Sequence, residues 1–62
     1  MAYTTMKKLI TNQNIKYNNG VISDDSYRLW KTSTLNKLDV FLACDRITQE
    51  QYEELNNLLL PL

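Results

Sequence analysis

The chain has 62 residues, with 7 Lys plus Arg balanced by 7 Asp plus Glu, no His, and one each of Cys, Gly and Pro. That length holds a single domain, 1–62. A domain of about 60 residues buries only about 60% of the surface its unfolded chain exposes, so each large apolar side chain matters. One Cys excludes an internal disulfide, the absence of His removes the usual ligands of a structural zinc site, and zero net charge disfavours a nucleic-acid binder with a strong basic footprint.

The first predicted element runs over residues 4–18. Met6, Leu9, Ile10 and Tyr17 fall at helical spacing, with Ile15 off that line. Asn18-Asn19-Gly20 closes it, with Gly20 placed to take the left-handed conformation just beyond the last turn.

The second element starts at about Asp24. Ser23 is a good N-cap, Asp24 and Asp25 sit in the first turn where the helix dipole favours negative charge, and Ile22 with Tyr27 occupies the two positions of a hydrophobic staple. Tyr27, Trp30, Thr34, Leu38 and Phe41 keep a 3–4 rhythm through Thr32-Ser33-Thr34 with no Gly or Pro between them. The preferred reading is one long helix over 24–43. A break at residues 32–34, giving four helices, is the alternative.

Asp45-Arg46 forms the next turn. Thr48 is then an N-cap with Gln51 three residues later, the pattern of a capping box, and Ile47 with Tyr52 repeats the staple. The third helix is predicted over 49–59, with Tyr52, Leu55 and Leu59 on one stripe and Pro61 beyond its end. The fold class is therefore all-α, a small three-helix bundle with a long central helix.

The two start signals are offset by 25 residues. Ile22 matches Ile47, Ser23 matches Thr48, Asp25 matches Glu50, Tyr27 matches Tyr52 and Trp30 matches Leu55; Gly20 corresponds to Asp45, a residue that also tolerates the left-handed region. The chain thus reads as two overlapping helix-turn-helix units sharing the central helix. Gly20-Val21-Ile22-Ser23-Asp24-Asp25-Ser26-Tyr27, and more loosely the stretch Ile47–Leu55, resembles the turn-helix signature of two kinds of short helical module: the XkdX-like family of small phage proteins and the short C-terminal helical domain of many bacterial proteins. The resemblance covers about a dozen residues in each copy, and Asp45 departs from the glycine it calls for. It implies a bacterial or phage setting and an assembly or interaction role, and it carries over no catalytic residue; the Asn-rich, Lys-using, Gly-poor composition is also similar to that of phage and mobile-element proteins.

Catalytic groups are sparse. There is no His for proton transfer, no Gly-rich phosphate loop, and no Ser in a nucleophile-elbow context. Cys44, ending the apolar run Val40-Phe41-Leu42-Ala43, is expected to be a buried structural thiol. Glu50, Glu53 and Glu54 read as a solvated face rather than a metal site. The chain is accordingly expected to be non-enzymatic, without cofactor, metal or small-molecule substrate. No apolar run approaches the length of a membrane span, and the first residues lack the apolar core of a signal peptide, so a cytoplasmic location is expected.

Two features point to interaction. Trp30 and Tyr52, with Tyr27, can serve either as core or as a recognition surface, and the need for core favours the former. Leu58, Leu59, Leu60 and Leu62 cannot all face one small core, so part of the terminus is expected on the surface or under a second chain. Charge is also segregated. Lys7, Lys8, Lys16, Arg28 and Lys31 against Asp24 and Asp25 put residues 1–31 at +3, and the remainder sits at −3; a short chain gives such a split by accident more often than not, the sharper reading being head-to-tail complementarity within the fold or between copies. The expected function is a small interaction or assembly protein that self-associates. The alternatives are an inhibitor that occupies a host protein and a small DNA-binding regulator; for the latter, Gln49, Gln51, Asn56 and Asn57 share the last helix with three Glu that repel phosphate.

Overall fold

A computed structural model describes residues 2–62. They form three helices, α1 (Ala2–Asn18), α2 (Asp24–Ala43) and α3 (Gln49–Leu58), each packed against the other two. The fold is all-α. The central helix is continuous, so the break weighed at residues 32–34 does not occur. Thr32 Oγ1 donates to the Arg28 carbonyl at 3.1 Å and Thr34 is buried, which accommodates both hydroxyl residues inside the helix. At ~1.5 Å per residue, twenty residues span about 30 Å. α2 therefore sets the long dimension of a molecule measuring 34 × 17 × 15 Å.

Both predicted helix starts are present. Ser23 and Thr48 have extended backbone, and their side-chain oxygens accept from the Ser26 and Gln51 N–H groups. Gln51 completes the capping box by accepting from the Thr48 N–H at 3.0 Å. Each cap of this kind contributes ~1 kcal/mol by satisfying an orphan amide.

Both turns close in the same way. Gly20 lies at φ 74° and Asp45 at φ 58°. The Val21 N–H donates to the Lys16 carbonyl at 2.9 Å and Arg46 to Phe41 at 2.8 Å; Gly20 donates to Tyr17 at 3.0 Å and Asp45 to Leu42 at 3.1 Å. These are two Schellman closures, each capping the preceding helix through a left-handed residue. The predicted 25-residue correspondence thus extends to individual backbone hydrogen bonds.

The core is formed by Met6 and Ile10 of α1, Leu38 of α2, Ile47 of the second turn, and Leu55 and Leu59 of α3 and its end. Tyr27, Ile10, Leu38 and Leu55 are the largest fully buried side chains. Burial of an Ile or Leu of this kind is worth roughly 1.5–3 kcal/mol before entropy is counted.

Two expectations are corrected. Leu9, placed on the apolar line of α1, is 51% exposed. The inward line runs Met6, Ile10, Asn14, and Leu9 lies about 100° away from Ile10 around the axis. Cys44 is exposed rather than buried. It caps α2 one turn beyond Val40, itself 58% exposed, and so stands on the outward side of the helix.

Candidate interaction surface

The end of the chain is held by polar groups that the apolar pattern does not reveal. α3 stops at Leu58. Leu59 turns to extended backbone, and Pro61 disfavours helix at the residue before it. The main chain that follows needs new hydrogen-bond partners, and α1 and α2 supply them. Asn14 Nδ2 donates to the Leu58 carbonyl at 2.8 Å. Tyr27 donates its hydroxyl proton to Asn14 Oδ1 and accepts the Leu60 N–H at 3.1 Å. Lys31 Nζ donates to the Leu60 carbonyl at 2.7 Å. Tyr27 is fully buried, and among the described residues no buried side-chain polar atom lacks a partner. Its ring also lies 5.3 Å from Tyr17 and 5.4 Å from Trp30, both in tilted geometry.

This clasp decides where the predicted interaction residues go. Leu59 is in the core, 6% exposed, so it offers nothing to a partner in the closed fold. Leu58 and Trp30 pack half-buried against that core, Leu60 is half-buried under Lys31, and Leu62 is 36% exposed. These residues gather at one end of the bundle. Tyr52 stands apart from them. It packs against the core while its hydroxyl donates to Asp39 of α2 at 2.7 Å, which raises its pKa. Tyr17 is raised in the same way by donating to Asp24 at 2.6 Å.

The predicted solvated acidic face is exposed, but Glu54 has partners. It accepts from the Tyr3 hydroxyl and pairs with Lys7 Nζ at 3.4 Å. The hydrogen bond from Tyr3, aided by Lys7, lowers the Glu54 pKa. Among the described residues, no group of three His, Cys, Asp or Glu side chains is placed to hold a metal ion. No helix among the described residues is long and apolar enough to cross a membrane.

The largest exposed apolar side chains lie elsewhere than the terminus. Leu29 is 76% exposed, Val21, in the turn between α1 and α2, 67% and Val40 58%; Leu29 and Val40 belong to one helix. They are eleven residues apart on α2, close to three full turns, and so share one line. Exposed Ser33 and Asn36 lie between them on that line. The line faces away from buried Tyr27, Thr34 and Leu38. The outward face of the longest helix is thus uncharged along its centre and apolar toward both ends, where a surface helix ordinarily carries charge. A shallow depression lined by Ser33, Asn36, Lys37, Val40 and Phe41 runs beside it. Sequence reasoning missed this face because the inward rhythm of α2 drew the assignment. The signal was Leu29 and Val40 standing in register with each other and out of register with Tyr27, Thr34 and Leu38.

Comparison of the chain with protein-family models, curated proteins and solved structures finds no match.

Proposed function

We propose that this chain is a non-enzymatic interaction protein that self-associates through the outward face of its central helix. The observation that carries this reading is the uncharged line Leu29-Ser33-Asn36-Val40, opposite the core and more than half exposed at both apolar positions. Leaving Leu and Val in water on a chain with so little core forgoes stabilisation that a partner surface would recover. The half-buried and exposed leucines at the chain end, Leu58, Leu60 and Leu62, form a second and smaller apolar area. The capping-unit resemblance and the composition support a phage or mobile-element setting. Light scattering across the micromolar to millimolar range tests the reading. The wild type should rise above the 7.3 kDa monomer mass with concentration. The double variant Leu29→Glu/Val40→Glu should stay monomeric while keeping its helical circular dichroism. A wild type that remains at the monomer mass throughout would contradict self-association.

A further inference from the structure

The outward line of α2 has two unlike flanks. On one side stand Trp30, Lys37 and Phe41, at intervals of 7 and 4. A recess lined by Ala2, Thr5, Met6, Phe41 and Arg46 shows that this flank borders α1. Leu9 follows Thr5 by four residues on the same side of α1 and is 51% exposed. The bonds of Tyr17 to Asp24 and of Tyr27 to Asn14 set the register of α1 against α2, and the same count places Leu9 level with Thr32. Trp30 and Phe41 are half-buried, so the flank toward α1 is mainly apolar, with Lys37 between them.

On the other side stand Arg28, Thr32 and Asp39, at intervals of 4 and 7. Asp39 accepts the Tyr52 hydroxyl through one oxygen, so this flank borders α3. Arg28 meets Asp25 at 3.4 Å with both side chains more than half exposed, which leaves its guanidinium open to a second carboxylate. This flank is polar and charged.

The line between the flanks reads the same in both directions. Its intervals are 4, 3 and 4, its two ends are apolar, and its two middle residues are polar and uncharged. Set antiparallel against a second copy, Leu29 meets Val40 and Ser33 meets Asn36, each pair twice, about a two-fold axis between Thr34 and Leu35. An antiparallel pairing sets each flank against its own equivalent. Leu9 and Trp30 of both copies then gather near the axis, and each Lys37 comes within reach of the other copy's Trp30 ring. On the opposite flank each Arg28 stands beside the other copy's Asp39. A parallel pairing sets unlike flanks together and would press Leu9 and Trp30 against Arg28 and Asp39, at a cost in desolvated charge.

We propose that two copies of this chain pair with their α2 helices antiparallel, the α1 flanks packed through Leu9 and Trp30 and the α3 flanks bridged by Arg28 and Asp39. This rests on the self-association proposed above and adds its orientation. It also gives the exposed Leu9 a partner.

The test uses the full chain, spin-labelled on the exposed Cys44, with light scattering to fix the dimer population. The antiparallel pairing puts the two Cys44 residues at opposite ends of the interface, about 30 Å apart at ~1.5 Å per helical residue. A parallel pairing would hold them side by side, within roughly 15 Å at ordinary helix separations. In the unlabelled chain, Leu9→Glu should raise the dimer dissociation constant by about tenfold or more with its helical circular dichroism unchanged. Arg28→Glu should raise it by about fivefold, and by less at high salt. A label separation below about 20 Å in the dimer, or an unchanged affinity in Leu9→Glu, overturns the antiparallel pairing and leaves self-association standing. A wild type that is monomeric throughout overturns both.

Discussion

The hairpin that joins α1 to α2 and the hairpin that joins α2 to α3 share their caps, their closures and even a side-chain bond. Tyr27 donates to Asn14 thirteen residues upstream, and Tyr52 donates to Asp39 at the same interval. The environments differ. Tyr27 is fully buried and its hydroxyl also serves the Leu60 amide, whereas Tyr52 is partly exposed and serves one partner. The left-handed position holds Gly20 in one hairpin and Asp45 in the other. Two copies of one local design therefore have unequal roles. The first anchors the chain end, and the second closes through a left-handed residue that carries a side chain.

The tyrosines should separate the two hairpins most sharply. Tyr27→Phe leaves the half-buried Leu60 N–H and Asn14 Oδ1 without their partner and should destabilise by about 1–3 kcal/mol in urea unfolding. Tyr52→Phe, at the equivalent position, should cost less than about 1 kcal/mol, because water can reach Asp39. Equal costs would remove the asymmetry of environment.

The left-handed positions come next. Gly20→Ala meets no atom within 4 Å, so its cost is conformational, about 1–2 kcal/mol. Asp45→Gly relieves the same conformation, and thermal unfolding at a fixed low concentration should show a gain of up to ~1 kcal/mol. The caps differ less. Thr48→Ala should cost roughly 1–2 kcal/mol and also leave Gln51 without its reciprocal role, whereas Ser23→Ala should cost roughly 0.5–1 kcal/mol, since Ser26 returns no bond to the Ser23 amide.

The smallest effect is a titration. Glu54 is held below its ordinary carboxylate pKa by the Tyr3 hydroxyl and Lys7. A lowered folded pKa means that the pair helps the fold above the ordinary carboxylate range and loses that help as pH falls through the depressed value. A carbon-detected titration should find the Glu54 midpoint depressed and find it move back upward in Tyr3→Phe. An unchanged midpoint in the variant would show that Tyr3 is not the cause.

Much of this asymmetry was invisible in the sequence, although the helices were not. Ser23, Thr48 and Gln51 act within one turn of their own positions, so local spacing suffices to read them. Gly20 and Asp45 announce their turns for the same reason. The clasp joins Asn14 to Leu58 and Lys31 to Leu60, across 44 and 29 residues. No local pattern links such pairs. Asn14 also interrupts the apolar line of α1, which periodicity reads as a gap rather than as a half-buried hydrogen-bonding residue. Leu59 reads both ways in the sequence, on the stripe with Tyr52 and Leu55 and among the surplus terminal leucines, and the structure bears out the stripe: it is 6% exposed in the core. Cys44 is misplaced by the sequence because the run Val40-Phe41-Leu42-Ala43 reads as buried throughout, whereas Val40 and Ala43 are exposed and Cys44 stands one turn beyond Val40.

Native-state amide hydrogen exchange tests the unequal roles of the two hairpins most directly. The account predicts that the amides of α3 and of residues 44–48 exchange through an opening of lower free energy than those of α1 and the first half of α2, and that Asp45→Gly raises the α3 value toward theirs. If α3 exchanged only with global unfolding, or if the α1–α2 hairpin opened first, the two hairpins would not have the unequal stability assigned to them.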